Sequence, residues 1–487
     1  MPPPLHRPPQ RPSPRPGGTG PPPRRATPNR RDKPGFTDIF GPLGRSRRTD
    51  RPSSRFHRMT GLHPTIPPAP RPRHGLRVGM IFQTDPASPT QLSGMPHRMA
   101  AALREQGVEV VPLMAVDLPA PRPGLATRIA NRARSERRKA TPAFLARWHA
   151  AARADRFQRA LLERAGSMSA RVRAQLDRHE LDLLFGVCIS TSLYALETTL
   201  PIVYFSDATG PVFHATYPKA AARPRAEREA VERIERTALA RVAHAAFASP
   251  QARDSAVHDL GVPPERTSVI PMGAHITPTD PAGVASPAEP PTTRDCRLLI
   301  VAADPVRKRV DLAVRATQSL RARGINASLT VIGPGTRLAR RSPFIECVGP
   351  LRIANPDCAQ RHRAALRSCH LQLLPSLGEA FGIAPAESAH FARPSIVSDA
   401  GGLPFVVLDD ETGLVLPVAA DHRAWADAIA ALVRDPERYR RYSAAALARA
   451  RSELNWSAWA AAAIRLMRAA VAHPGSEPHA IPTRRTG

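Results

Sequence analysis

Sustained apolar patterning begins at Leu76, where LRVGMIFQTD is a short run rich in branched residues and reads as a buried strand. SGMPHRMAAALREQG and VEVVPL follow, giving strand, loop, helix, strand. From Pro121 to Arg178 the chain is basic, with Phe144, Leu145, Trp148, Phe157, Leu161 and Leu162 at three-to-four spacing, which predicts helices with one apolar face. Such helices pack on a sheet or dock on anionic lipid. LDLLFGV and PIVYFSDAT are continuous apolar runs, the pattern of parallel strands buried on both faces, and HAAFASP and TSVIPMG complete a first half.

A Pro-rich stretch from Thr277 to Thr293 has no periodicity and reads as a linker. The pattern then restarts with RLLIVAAD, a helix through DLAVRATQSLRARG, strands at SLTVIG and FIECVG, a helix before HLQLLPS, another after it, and strands at PSIVSD and LVLP. Alternating strands and helices in both halves predict two doubly wound α/β domains facing a central cleft. The expected bounds are an arm over 1–73, a first domain over 74–276, a linker over 277–294, a second domain over 295–472 and a flexible tail over 473–487. In such sheets ligands bind beyond the carboxyl ends of the strands, so the cleft is the expected active site.

Composition alters this picture mainly at the N-terminus. Residues 1–73 hold 20 of the 55 prolines and 16 basic residues against three acidic ones, too little apolar surface to offset ordering entropy, so a disordered arm is expected. Either the arm is a basic tether or translation starts later, at Met59 or Met80. No run reaches the roughly 18 consecutive apolar residues of a spanning helix, and the first residues lack an apolar signal core. The five cysteines contain no C-x-x-C pair, so a cytoplasmic protein without a Cys-based zinc site is expected. The net charge of +29 raises the question of nucleic acid or an anionic membrane as partner. Only four of the 70 basic residues are lysine, however, and an arginine bias of this kind loads charge onto any solvated face. Aromatic content of 5% and the lack of a stacking segment argue against specific RNA binding.

The chemistry concentrates between Leu373 and Pro417, LLPSLGEAFGIAPAESAHFARPSIVSDAGGLPFVVLDDETGLVLP. A strand should end at Pro375, a loop carry Glu379 and Gly382, and a helix begin near Pro385 with Glu387 in its first turn. Free N–H groups there, with the helix dipole behind them, suit a diphosphate over Gly382 and Ile383, while Glu387 accepts hydrogen bonds from a sugar's hydroxyl pair.

Glu379 and Glu387 with seven residues between them, a small-residue helix, Arg393-Pro394, AGGLPFVV and TGLVLP together resemble the signature of the family 4 retaining glycosyltransferases. The resemblance covers about residues 76 to 470 and implies the GT-B architecture of two Rossmann-like domains. It implies that Glu379 contacts hydroxyls of the transferred sugar and Glu387 the ribose of a UDP-, GDP- or ADP-sugar. VAADPVRKRVDLAVRATQSLRARG resembles the family's donor-phosphate segment, which makes Lys308 the diphosphate's cation. Many members carry a further Arg at the strand end, where this chain has Ala302 and Ala303; Arg307 or Arg309 would compensate. SGMP resembles the glycine loop after the first strand, with Gly94 near donor and acceptor. YFSDATGPVFH resembles a subgroup in which Asp207 orients the acceptor hydroxyl. His97 and His214 are weaker candidates, Gly273 matches the glycine before the hinge, and Trp456 resembles the residue opening the terminal helices.

The resemblance implies a hexosyltransferase-like enzyme that retains anomeric configuration, with no metal and no cofactor besides its nucleotide-sugar substrate. No protein nucleophile is assigned, and the acceptor is a glycan, lipid or metabolite hydroxyl. A glycosidase would also use two carboxylates, about 5 to 9.5 Å apart, whereas eight helical steps place Glu379 and Glu387 about 12 Å apart. An epimerase, a phosphorylase, or a basic binding protein with an inactive cleft remain as alternatives.

Overall fold

The computed structural model describes residues 75–83, 85–86, 91–116, 143–279 and 288–473. The expected arm, most of the tail, the middle of the linker and the start of the basic stretch lie outside them. The first half is a six-stranded sheet of order β2-β1-β3-β4-β5-β6, built from β1 (Arg77–Phe82), β2 (Glu109–Met114), β3 (Leu183–Val187), β4 (Ile202–Ser206), β5 (His244–Phe247) and β6 (Thr267–Val269). The second sheet has the order β12-β11-β10-β7-β8-β9, from β7 (Cys296–Val301), β8 (Ala327–Ile332), β9 (Ile345–Gly349), β10 (Leu371–Leu374), β11 (Ser395–Ser398) and β12 (Gly413–Leu416). Every pairing between two of these strands is parallel. The continuous apolar runs explain this: β3, β4, β10 and β11 are buried at every position, as central strands covered by helices on both faces must be.

Both sheets reverse direction beside their first strand, β1 against β3 and β7 against β10. At such a switch point the loops after the two strands leave to opposite faces and open a crevice at their carboxyl ends. Loop 302–309 after β7 and loop 375–382 after β10 border one crevice, and Cys188 after β3 and Asp207 after β4 stand at the same end of the first sheet.

The basic stretch forms a helix over Ala143–Leu176. From it Met168, Val172 and Leu176 enter the core with Val111 and Leu113 of β2, so this part packs on the sheet. Among the described residues, no helix is long and apolar enough to cross a membrane.

Two segments join the halves. Residues 270–279 carry the chain from the first sheet toward the second, and the helix Trp456–Ala472 returns. That helix, capped by Asn455 through the Ala458 N–H at 2.8 Å, inserts Trp459 against Phe185 and Phe205 of the first sheet.

Candidate active site

Loop 375–382 is shaped by its own backbone and by the segment after β11. Ser376 Oγ donates to the Gly378 carbonyl at 3.0 Å, closing a tight turn. The Glu379 carbonyl accepts from the Gly402 N–H at 3.1 Å, which fixes the peptide of Glu379 from the β11 side. Gly378 must be glycine, because a Cβ there would lie 2.1 Å from the Thr216 carbonyl oxygen of the first half. The loop ends at Gly382, whose φ of 114° favours glycine and which caps the helix Ile383–Ala389. The helix thus begins two residues before the expected position near Pro385, and Glu387 sits in its second turn rather than its first. A glycine with positive φ starts the helix earlier than proline's preference suggests.

The Glu379 carboxylate is buried and ion-paired, 2.8 Å from Arg307 Nη1 and 3.4 Å from Lys308 Nζ. Burial pushes its carboxyl up, but Lys308 and then Arg307 outweigh burial, and the group ends below the usual range. Both cations sit on loop 302–309. There Asp304 Oδ1 accepts from the N–H groups of Val306 and Arg307 at 3.2 and 3.1 Å, and the Arg307 carbonyl accepts from Leu377 N–H at 2.9 Å. Of the two arginines expected to replace the missing strand-end arginine, Arg307 therefore points into the cluster. Arg309 does not: it adopts φ 52° and donates to the carbonyls of Val418 and Ala420.

Glu387 is in the opposite state. Its Oε1 accepts from the Ile276 N–H at 3.1 Å, in the segment joining the halves, and its Oε2 lies 3.8 Å from His362 Nε2. Burial pushes its carboxyl up to about 8, the Ile276 N–H and Lys308 opposing it only in part. His362 and His275 line the same region, and burial pushes each imidazole down to about 4. His275 stacks on Trp456, with centroids 5.6 Å apart and planes 8° apart, and its carbonyl accepts from Arg98 at 3.1 Å.

Across the cleft, the Asp207 carboxyl accepts from the Cys188 thiol at 3.7 Å. Burial raises the Asp207 carboxyl, and the negative charge of Glu379 adds to the rise, so the two carboxylates feel one another across the cleft. The neighbours of Asp207 are structural: Ser206 Oγ closes a turn on the Ala208 carbonyl at 2.6 Å, and Thr209 caps the helix Gly210–Thr216. His214 is buried on that helix, 3.1 Å from Glu232, and His97 meets the Pro86 carbonyl at 3.3 Å. Gly94, with φ 81°, opens the helix Met95–Glu105, on which Arg98 reaches the joining segment.

Sequence reasoning missed Tyr217. Its hydroxyl accepts from the Ala380 N–H at 3.3 Å, and the Arg307 guanidinium lies 5.1 Å from its ring centroid. The only signal was an aromatic residue shortly after the SDAT segment, and nothing in the sequence ties it to a loop 163 positions away.

Residues 287–449 match the glycosyl transferases group 1 family, and residues 95–277 match glycosyltransferase family 4. The D-inositol 3-phosphate glycosyltransferase of Rhodococcus opacus is 33% identical over 201 residues, which are 38% of this chain and 44% of that protein. The chain thus matches less than half the length of this relative. Among solved structures, the sucrose-phosphate synthase of Thermosynechococcus elongatus aligns with a TM-score of 0.56 at 20% identity, covering 81% of this chain and 98% of that one. A glycosyltransferase from Rickettsia africae aligns with a TM-score of 0.51 at 12% identity, over 81% and 98% of the two chains. These structural likenesses establish the two-sheet GT-B fold, and with both halves matched in sequence the chain belongs to the family 4, group 1 glycosyltransferases.

Proposed function

We propose that this protein is a retaining glycosyltransferase that moves a sugar from a nucleotide-sugar donor to a hydroxyl acceptor. The observation that carries the reading is the ionised Glu379, held by Arg307 and Lys308 beyond β7 and β10 and facing Asp207 of the first half. An ionised carboxylate accepts hydrogen bonds from sugar hydroxyls, and the two cations leave the cluster with one surplus positive charge for a departing diphosphate. Lys308 and Arg307 would hold the diphosphate together with the N–H groups after Gly382, Ile383 included. Glu387 would take the ribose and Gly94 would border donor and acceptor. Asp207 would orient the acceptor hydroxyl, and its raised carboxyl suits a group that exchanges a proton with that oxygen. No metal or further cofactor enters this scheme. We place the protein in the cytoplasm, with a glycan or lipid acceptor at an anionic membrane face served by the basic helices.

The test is nucleotide release from UDP-, GDP- and ADP-sugars with and without acceptor. The acceptors are a lipid extract, an oligosaccharide extract and D-inositol 3-phosphate, the last chosen from the name of the Rhodococcus relative. Release from one donor, stimulated by an acceptor and lost in Glu387→Ala and Lys308→Ala, is the expected result. Well-folded protein that neither binds nor turns over any donor would overturn the reading.

A further inference from the structure

Tyr217 ends the helix Gly210–Thr216 of the first half and meets the second half at two points, the Ala380 N–H and the face of Arg307. Its neighbour Thr216 lies directly against Gly378, where there is room for a backbone but not for a Cβ. Phe213, one turn earlier, packs on the tyrosine ring with centroids 4.7 Å apart. The phenol is raised by burial and then by the negative charges of Glu379 and Asp207, which locates it near both carboxylates.

We propose that Tyr217 is a positioning residue that acts across the cleft: it seats Arg307 against Glu379 and holds the Ala380 amide, so that loop 375–382 takes its working shape when the halves close. The inference rests on the transferase reading and assigns a residue that reading leaves idle. A guanidinium held over a ring loses freedom to rotate, and Arg307 thereby keeps its Nη1 on the Glu379 carboxylate. The donor loop is built by the second half alone, but its cation and one of its amides are fixed by a side chain of the first. Closure and assembly of the sugar and diphosphate site are then one event, while base and ribose contacts of the second half do not depend on Tyr217.

Two variants separate the contributions: Tyr217→Phe keeps the ring and removes the hydroxyl, and Tyr217→Leu removes both. The readouts are kcat and KM for the donor that wild type turns over, and calorimetric affinity for the matching nucleoside monophosphate, which lacks the second phosphate that Arg307 would hold. The expected result is a loss in kcat/KM of about 30-fold for the leucine variant and about 3-fold for the phenylalanine variant, with nucleotide affinity within about 3-fold of wild type in both. A leucine variant with wild-type kcat/KM, or one that loses nucleotide affinity in proportion to activity, overturns the inference. If the leucine variant does not fold, the phenylalanine variant decides: kcat/KM equal to wild type overturns the proposal and a selective loss supports it. Wild-type protein that binds no nucleotide sugar overturns the transferase reading, and this inference falls with it.

Discussion

Glu379 and Glu387 are the same residue type on one short segment, yet their surroundings drive them to opposite protonation states. Two cations hold Glu379 ionised, and Glu379→Gln would leave Arg307 and Lys308 without their carboxylate. The expected outcome is a fall in kcat of about 100-fold with nucleotide affinity little changed, measured by steady-state kinetics and calorimetry. Arg307→Ala should also lose activity. Arg309→Ala should leave donor kinetics within about 2-fold of wild type and lower only the melting temperature, because its guanidinium bonds carbonyls of the 418–420 segment. Glu387 titrates near 8 against an ordinary value of 4.5, so its folded-state pKa is raised. Its contribution to stability is then fully present below 4.5 and is lost as pH rises through about 8. Glu387→Gln should flatten the decline in melting temperature over that window; an unchanged pH profile would count against burial as the cause. The glutamate pair was legible in the sequence, but its split ionisation was not, since it depends on Arg307, Lys308 and Ile276 brought in from distant positions.

Among the elements, the turn from β10 into the helix Ile383–Ala389 carries the most constraint. Gly382 has φ 114°, and a Cβ there would lie 2.6 Å from Leu403 Cδ2, so conformation and packing both demand glycine. Gly382→Ala should cost about 1–3 kcal/mol in chemical denaturation and reduce donor affinity with it. The strand-loop-helix order was readable along the chain because apolar runs and glycines mark it locally. The start of the helix was not, because the positive φ of Gly382 is a property of the folded backbone and not of the residue's type. Likewise, apolar spacing identified the basic stretch as helical, whereas its contact with β2 emerged only from the folded chain.

At the scale of the molecule, the terminal helix binds the two halves together. Trp459 lies 6.0 Å from Phe185 and 5.6 Å from Phe205, centroid to centroid, and Trp459→Ala should cost about 3–5 kcal/mol, seen as a lower denaturation midpoint. The halves touch through Thr216 and Gly378, Tyr217 and Ala380, and Glu387 and Ile276, contacts that separation of the halves would break. Small-angle scattering with and without a tightly bound nucleotide sugar should therefore differ; superimposable profiles alongside calorimetric binding would rule closure out. The sequence by itself determined two doubly wound α/β domains and marked the carboxylate pair and Lys308 as candidates. Periodicity and short motifs are local, and local patterns are written in consecutive residues. Only the tertiary structure decided which arginine enters the cluster, which carboxylate is ionised and which tyrosine spans the cleft. Each of those depends on distance and burial between segments far apart in the chain, which no local pattern encodes.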